Sequence, residues 1–255
     1  MASPPMSAAT ATEMTETLLQ AWESLHSAAP TERALGLLDA VWPELGRAQW
    51  RKVSIGDRDA CLFLLQESLF GAQLQTITAC PACGERLESR FMVRDVCTPL
   101  ASLPQPREPL LLAYDGYRVR YRLPCSEDLL DLSSDTQTDA AAAALLQRCV
   151  IEAHRDDAPI ASPALPVEVQ RRLSETMAEL DPLADLQVAV NCPACGHAWS
   201  ATMDIAAYLW GELDDWAQDL LAEVHALARH YAWSERDILT MSPVRRRFYL
   251  DLVQA

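Results

Sequence analysis

Apolar residues in the first 70 positions of this 255-residue chain recur at steps of three and four, the spacing of one helix face. Leu18, Leu19, Trp22 and Leu25 predict a helix over 16–25, broken at Pro30. Thr31 is placed to cap a second helix through Leu35, Leu38 and Val41, which ends before Pro43. A third starts after Asp57, carries Cys61, Leu62, Leu64, Leu65 and Leu69, and stops at Gly71. The period then falls to two. Residues 74–79 and 86–93 alternate as strands on either side of Cys80-Pro81-Ala82-Cys83-Gly84, giving strand, knuckle, strand.

A Pro-rich loop, 99–109, leads to strands 110–113 and 117–123 around Asp115-Gly116, a short-hairpin signal. In the second of these, Arg118, Arg120 and Arg122 alternate with Tyr117, Val119 and Tyr121, so one face is basic and the other apolar. Ser126 reads as a helix cap, 139–152 as an Ala-rich helix, 156–166 as a loop, and 167–180 as a helix stopped by Asp181-Pro182. Leu186, Val188 and Val190 alternate into Cys192-Pro193-Ala194-Cys195-Gly196, and 197–203 leads out as a strand. From Ile205 to Tyr231 apolar residues recur at three and four over one long amphipathic helix. Ser234 and Ser242-Pro243 cap two short terminal helices.

Composition is that of a globular chain: 50% hydrophobic and 22% charged. No apolar run approaches the ~18 residues that span a bilayer. The first 12 residues carry neither a basic flank nor an apolar stretch, so they read as a disordered tail and the protein as cytoplasmic. The net charge of −15 repels a phosphate backbone and disfavours general nucleic-acid binding. Arg245, Arg246 and Arg247 are a local exception and a candidate partner-binding cluster.

The chemistry lies in the cysteines. Cys80, Cys83, Cys192 and Cys195 belong to two identical pentapeptides, each in a hairpin setting. Each Cys-x-x-Cys turn presents two sulfurs on one side, and the following Gly lets the backbone fold back so that N–H groups point at sulfur. Two such knuckles supply the four thiolates of one structural zinc ion. The 108 residues between Cys83 and Cys192 far exceed the usual ~15–20 of a zinc ribbon, so the intervening segment reads as an insertion with neighbouring ends. A redox dithiol is the competing reading, but reactive pairs sit at helix N-termini, whereas these are followed by Gly and strand. Four thiolates close the metal and leave no position for an activated water, which argues against hydrolysis. His197 is a conceivable substitute ligand. Cys61, Cys97, Cys125 and Cys149 read as buried small hydrophobes. Glu212, Asp214, Asp215, Asp219 and Glu223 read as a solvated helix face, His225 and His230 as polar-face residues, and Trp210, Trp216 and Trp233 as core. No phosphate-binding Gly-rich loop or nucleophile elbow is present.

Many short motifs, in order and spacing, resemble a baseplate protein family of T-even-type contractile phages, with bacterial members beside contractile injection system genes. They are Ile55-Gly56-Asp57-Arg58-Asp59, Phe70-Gly71, the first knuckle, Arg122-Leu123-Pro124, Asp181-Pro182, and the second knuckle with Trp199. The tail adds Asp204-Ile205, Leu209-Trp210, Glu212, Glu223-Val224-His225, Leu227-Ala228, Trp233-Ser234-Glu235, Ile238-Leu239, Arg245-Arg246 and Tyr249-Leu250. The resemblance covers about residues 50–255. It implies a part in building or regulating a contractile-tail baseplate and supplies no catalytic residues.

The expected fold is α+β: a tail (1–12), an N-terminal helical segment (13–72), a split zinc ribbon (73–96 with 185–203), a mixed α+β insertion (97–184) and a C-terminal helical segment (204–255). The expected function is non-catalytic, as an assembly factor or baseplate-associated component whose partners are baseplate or hub proteins, with no membrane and no small-molecule substrate. A zinc-ribbon regulator binding nucleic acid or transcription machinery is the alternative, and a thiol-disulfide oxidoreductase the third.

Overall fold

The structure, a computed structural model, describes residues 11–98, 100–132 and 138–254. It is a mixed α+β protein with small hairpin sheets and one long C-terminal helix. In chain order the elements are α1 (Ala11–Leu25), α2 (Pro30–Val41), α3 (Arg47–Trp50), α4 (Ile55–Phe70), β1 (Gln73–Ala79), β2 (Arg86–Met92), α5 (Val93–Val96), β3 (Leu110–Tyr114), β4 (Tyr117–Tyr121), α6 (Ser126–Leu130), α7 (Thr138–Cys149), β5 (Val150–Arg155), β6 (Ala158–Ile160), α8 (Val167–Leu180), β7 (Gln187–Asn191), β8 (Ala198–Thr202), α9 (Ile205–Tyr231), α10 (Glu235–Leu239) and α11 (Pro243–Gln254). The turns Ser162–Ala164 and Pro182–Asp185 are 3₁₀. Among the described residues no helix is long and apolar enough to cross a membrane.

The chain divides into two compact units, 48–205 and the described residues 11–47 with 206–254. The expected N-terminal segment 13–72 is therefore shared: α1 and α2 belong with the C-terminal helices, and α4 belongs with the cysteine hairpins and the segment between them.

In the 48–205 unit α4 is buried on most sides, with Cys61, Leu62 and Leu65 inaccessible to solvent. A helix apolar nearly all round must lie in an interior. Ser54 sets its start by accepting the Asp57 N–H at 3.3 Å, three residues upstream of the expected start. The four-stranded antiparallel sheet runs β3-β4-β5-β6. Tyr117, Val119 and Tyr121 point inward from β4 onto Val169, Leu173 and Met177 of α8, while Arg118 and Arg120 face out. The strand expected over 117–123 ends at Tyr121, so Arg122 leaves the outward row and turns to Asp128.

Sheet pairing overrides the helix expected over 139–152. The helix ends at Cys149, and Val150–Arg155 pairs with β4 instead, with a register shift at Arg120/Tyr121. The expected loop 156–166 contains β6, reached through Asp156 and Asp157 at φ +46° and +70°. Two left-handed residues make the tight turn that strand twist favours. Two other starts differ. Pro30, with its φ already helical, opens α2 ahead of Thr31. Ser126 is the first residue of α6, and Asp128 caps it by accepting the Cys125 N–H at 3.0 Å. The short helices α3 and α5 had no periodic signal.

The second unit packs Leu19 of α1 with Ala217, Leu220, Val224 and Leu227 of α9, Ile238 and Leu239 of α10, and Leu250 of α11. Trp22 Nε1 donates to Asp214 at 2.7 Å, and Tyr231 stacks on Trp233 at 4.4 Å. Trp210 is buried; Trp216 and Trp233 are half-buried against this core. Residues 1–10 of the expected tail lie outside the described residues, while Ala11 and Thr12 begin α1.

Candidate metal centre

β1 and β2 form one two-stranded antiparallel sheet, and β7 and β8 another. The first ladder runs from Gln73↔Met92 to Ala79↔Arg86, the second from Gln187↔Thr202 to Asn191↔Ala198. Each ladder delivers its first cysteine directly after the last residue of the incoming strand. The turns that follow repeat bond for bond. Cys80 N–H donates to the Glu85 carbonyl at 2.8 Å and Gly84 N–H to the Cys80 carbonyl at 2.8 Å. Cys192 N–H donates to the His197 carbonyl at 2.8 Å and Gly196 N–H to the Cys192 carbonyl at 2.9 Å. Gly84 and Gly196 sit at φ +76° and +74°, a region costly for any residue with a Cβ. Identical pentapeptides thus fold into identical loops because the same N–H groups and the same left-handed glycine close each.

The two loops meet tip to tip. Cys80 Sγ lies 3.7 Å from Cys195 Sγ, and Cys83 Sγ 3.6 Å from Cys192 Sγ. All four sulfurs fall within 4.8 Å of one another. A tetrahedral ion with metal–sulfur bonds of about 2.3 Å separates its sulfurs by about 3.8 Å, so the donors stand where four-thiolate ligation needs them. Cys80 and Cys192 are buried; Cys83 and Cys195 are exposed.

Backbone N–H groups of Ala82 and Cys83 point at Cys80 Sγ, that of Glu85 at Cys83 Sγ, and that of His197 at Cys195 Sγ. Burial pushes the Cys80 thiol up, but those N–H dipoles outweigh it and bring it to about 7. The Glu85 N–H draws Cys83 down, yet the crowded sulfurs around it push it up to about 12. Four thiols this close cannot all ionise without a cation among them. The cluster can hold one metal ion, and it is the sole group of this kind among the described residues.

His197 is exposed, stacked beside Trp199 at 5.9 Å, and stands outside the sulfur cluster. The four other cysteines are buried. Burial pushes Cys61 and Cys149 up to about 12 and Cys97 to about 11, so they stay protonated and unreactive.

Arg245, Arg246 and Arg247 do not form one exposed patch. Arg246 is buried, donating from Nε to Glu223 at 3.2 Å and from Nη1 to the Met241 carbonyl at 2.8 Å. Three consecutive residues on a helix point in different directions, and the middle one here faces the core. Arg247 pairs with Asp251 at 3.1 Å, and Arg245 lies over Tyr249 at 5.8 Å.

A second constellation joins short motifs far apart in sequence. Asp181 accepts from Gly56 N–H at 3.0 Å and from Ser54 Oγ at 3.1 Å. Arg107 grips Asp57 at 2.8 and 2.6 Å and the Leu180 carbonyl at 3.2 Å. Arg58 bonds Asp59 at 2.7 Å and Ser126 at 3.1 Å. Arg122, one residue beyond the end of β4, donates to Asp128 at 2.6 and 2.7 Å, and Arg148 joins at 3.2 Å. Burial pushes the Asp128 carboxyl up, but Arg122 and the Cys125 N–H overcome this and hold it at about 2. These bonds tie both ends of the segment between the cysteine hairpins to the start of α4. Arg107 and Asp128 were missed in the sequence because neither belongs to a periodic pattern or a motif. The signal lay one residue off the expected cap: Asp128 stands three residues past Cys125, the true N-cap, where an acid reaches back to the cap N–H, and not three past Ser126.

Set against family models, curated proteins and solved structures, the chain finds no significant match in any of the three.

Proposed function

We propose that the four cysteines bind a single structural zinc ion, and that the protein is a non-catalytic assembly factor or baseplate-associated component of a phage-tail-like contractile injection system. The observation that carries the zinc reading is the tetrahedral spacing of four sulfurs on two identical knuckles. Zinc favours four thiolates in this geometry, and the N–H groups aimed at sulfur spread the negative charge. With four protein ligands the ion lacks the open position that hydrolytic zinc sites keep. Its contribution is mechanical: it joins two hairpins that share no ladder.

The injection-system reading is supported by the resemblance of motifs across about residues 50–255. The folded positions of those motifs make it more coherent. Gly56, Asp57, Arg58, Asp59, Asp181 and both knuckles are structural fixtures of one unit, which is what a scaffold role asks of them.

Two experiments test the two halves separately. Metal analysis of protein purified under reducing conditions should return one zinc per chain, and changing any of the four cysteines to Ser should abolish it and lower the melting temperature. Protein without zinc would end that half. For the other half, hub or wedge proteins co-expressed with this chain should co-purify with it, and tail particles should fail to assemble in its absence. Normal particles without it would refute the assembly role and leave the zinc site standing.

A further inference from the structure

The two cysteine loops present their sulfurs unevenly. Cys80 and Cys192, the first cysteine of each loop, are 2% exposed, whereas Cys83 and Cys195 lie at the surface. Exposed and buried sulfurs also meet across the loops. Exposed Cys83 has the buried Cys192 of the other loop at 3.6 Å, and exposed Cys195 has the buried Cys80 at 3.7 Å. The two contacts share no sulfur, so both can become bonds at once. The hairpins that carry them share no ladder, since β1 pairs with β2 and β7 with β8.

We infer that Cys83 and Cys195 are sites of oxidation by hydrogen peroxide, and that each is resolved by the buried cysteine of the opposite loop, so that the bonds Cys83–Cys192 and Cys80–Cys195 replace the zinc ion as the tie between the hairpins. The inference rests on the zinc reading above. Oxidation follows access as well as thiolate character, and a peroxide in the surrounding water reaches Cys83 and Cys195 first. The Cys83 thiolate attacks one peroxide oxygen: an S–O bond forms, the O–O bond breaks and hydroxide leaves. The Cys192 thiolate then attacks the Cys83 sulfur: the S–S bond forms, the S–O bond breaks and a second hydroxide leaves. Cys195 and Cys80 do the same. Four thiolates thus pass four electrons to two peroxides, and two disulfides and four hydroxides result. The thiolate is the metal ligand, so the sulfurs give up the zinc as they lose their charge.

Which sulfurs join decides what oxidation does to the fold. A bond from Cys80 to Cys83, or from Cys192 to Cys195, lies inside one loop and leaves the hairpins untied. The bonds across the loops join residues 115 and 109 apart in sequence. Closing so long a stretch of chain restrains the unfolded state far more than a bridge within one turn. Oxidation therefore costs the protein its metal and keeps its clip. The four other cysteines are buried away from solvent and take no part.

Titrating the full zinc-loaded chain with hydrogen peroxide tests this, read by zinc release to a chromogenic chelator, by peptide mapping without reductant and by melting. All of the zinc should be released, with two peroxides consumed per ion. Trypsin leaves both cysteines of each loop on one peptide, because no Lys or Arg separates them. Bonds across the loops then appear as one linked pair of peptides, and bonds within a loop as two separate peptides. Fragmenting the linked pair between Cys80 and Cys83 assigns each partner. Dimedone added with limiting peroxide should trap sulfenic acid at Cys83 and Cys195. The oxidised protein should melt above the reduced, zinc-free protein. Bonds within the loops overturn the inference, as do dimedone on Cys80 or Cys192 alone, zinc retained at excess peroxide, or an oxidised protein that melts no higher than the reduced, zinc-free one. The zinc reading fails separately: protein purified without zinc that still forms both cross-loop bonds would end that reading and leave the pairing standing.

Discussion

A methyl group at Gly56 has no room. An added Cβ would lie 2.3 Å from Asp181 Oδ1 and 3.1 Å from the backbone nitrogen of Ala184. The first contact displaces the carboxylate that accepts the Gly56 N–H, and the second is backbone and cannot yield cheaply. Gly56→Ala should therefore cost about 2–3 kcal/mol, measurable by denaturant unfolding. Asp59 makes a prediction of a different kind. Burial pushes its carboxyl up to about 6 from an ordinary value of 3.8, with Arg58 offsetting only part. Between those two values the folded protein holds a proton that the unfolded chain has released. The contribution of Asp59 is thus full below pH 4 and is lost as pH rises through 6, by up to about 3 kcal/mol. Asp128 runs the other way: held at about 2, its contribution is present above pH 4 and lost as pH falls toward 2. Urea unfolding at stepped pH should show the Asp59 slope between 4 and 6 vanish in Asp59→Asn, and an unchanged slope would contradict the assignment.

Among the elements, the cysteine hairpins are the least self-sufficient. Of β1, only Leu74 is fully buried, and Ile77 is 61% exposed. Two-stranded ribbons are marginal in water without a further layer or a clip. Removing the metal with a chelator under reducing conditions should speed amide exchange in 73–92 and 187–202 while the β3–β6 sheet keeps its protection. Equal loss in both would mean that the site holds more than the ribbons. The turns show how local chemistry governs legibility. Asp115-Gly116 announces a hairpin because Gly accepts the left-handed region freely, and the structure has it at φ +76°. Asp156-Asp157 makes the same kind of turn without Gly, so β5 and β6 went unread and Val150 to Glu152 passed for helix. Their β-branched residues were the available clue, and a partner strand decided it.

At the scale of the whole molecule, residues 48–205 enclose the sheet core, the polar ties around α4 and the four-cysteine site. A fragment of those residues should fold by itself and take up one zinc. Residues 206–255 alone should not, because α9, α10 and α11 share their core with Leu19 of α1. Circular dichroism and metal analysis of the two fragments would decide this, and an unfolded 48–205 fragment would show that the division is one of contacts and not of stability.

The cysteine site was legible before any fold was known. Ligand type, the Cys-x-x-Cys spacing and the following Gly are local properties, and a pentapeptide repeated without change must repeat its loop. Long helices were legible for the same reason, since 3.6-residue periodicity survives in sequence wherever one face is buried. What only the tertiary structure decided was partnership. That α4 belongs with the insertion, that Arg246 turns inward to Glu223, that Val150 leaves a helix for a sheet, and that Asp181 waits for Gly56 are all facts of contact between residues far apart along the chain. No local pattern encodes such contacts, because the free energy that selects them is released only when both partners have left water together.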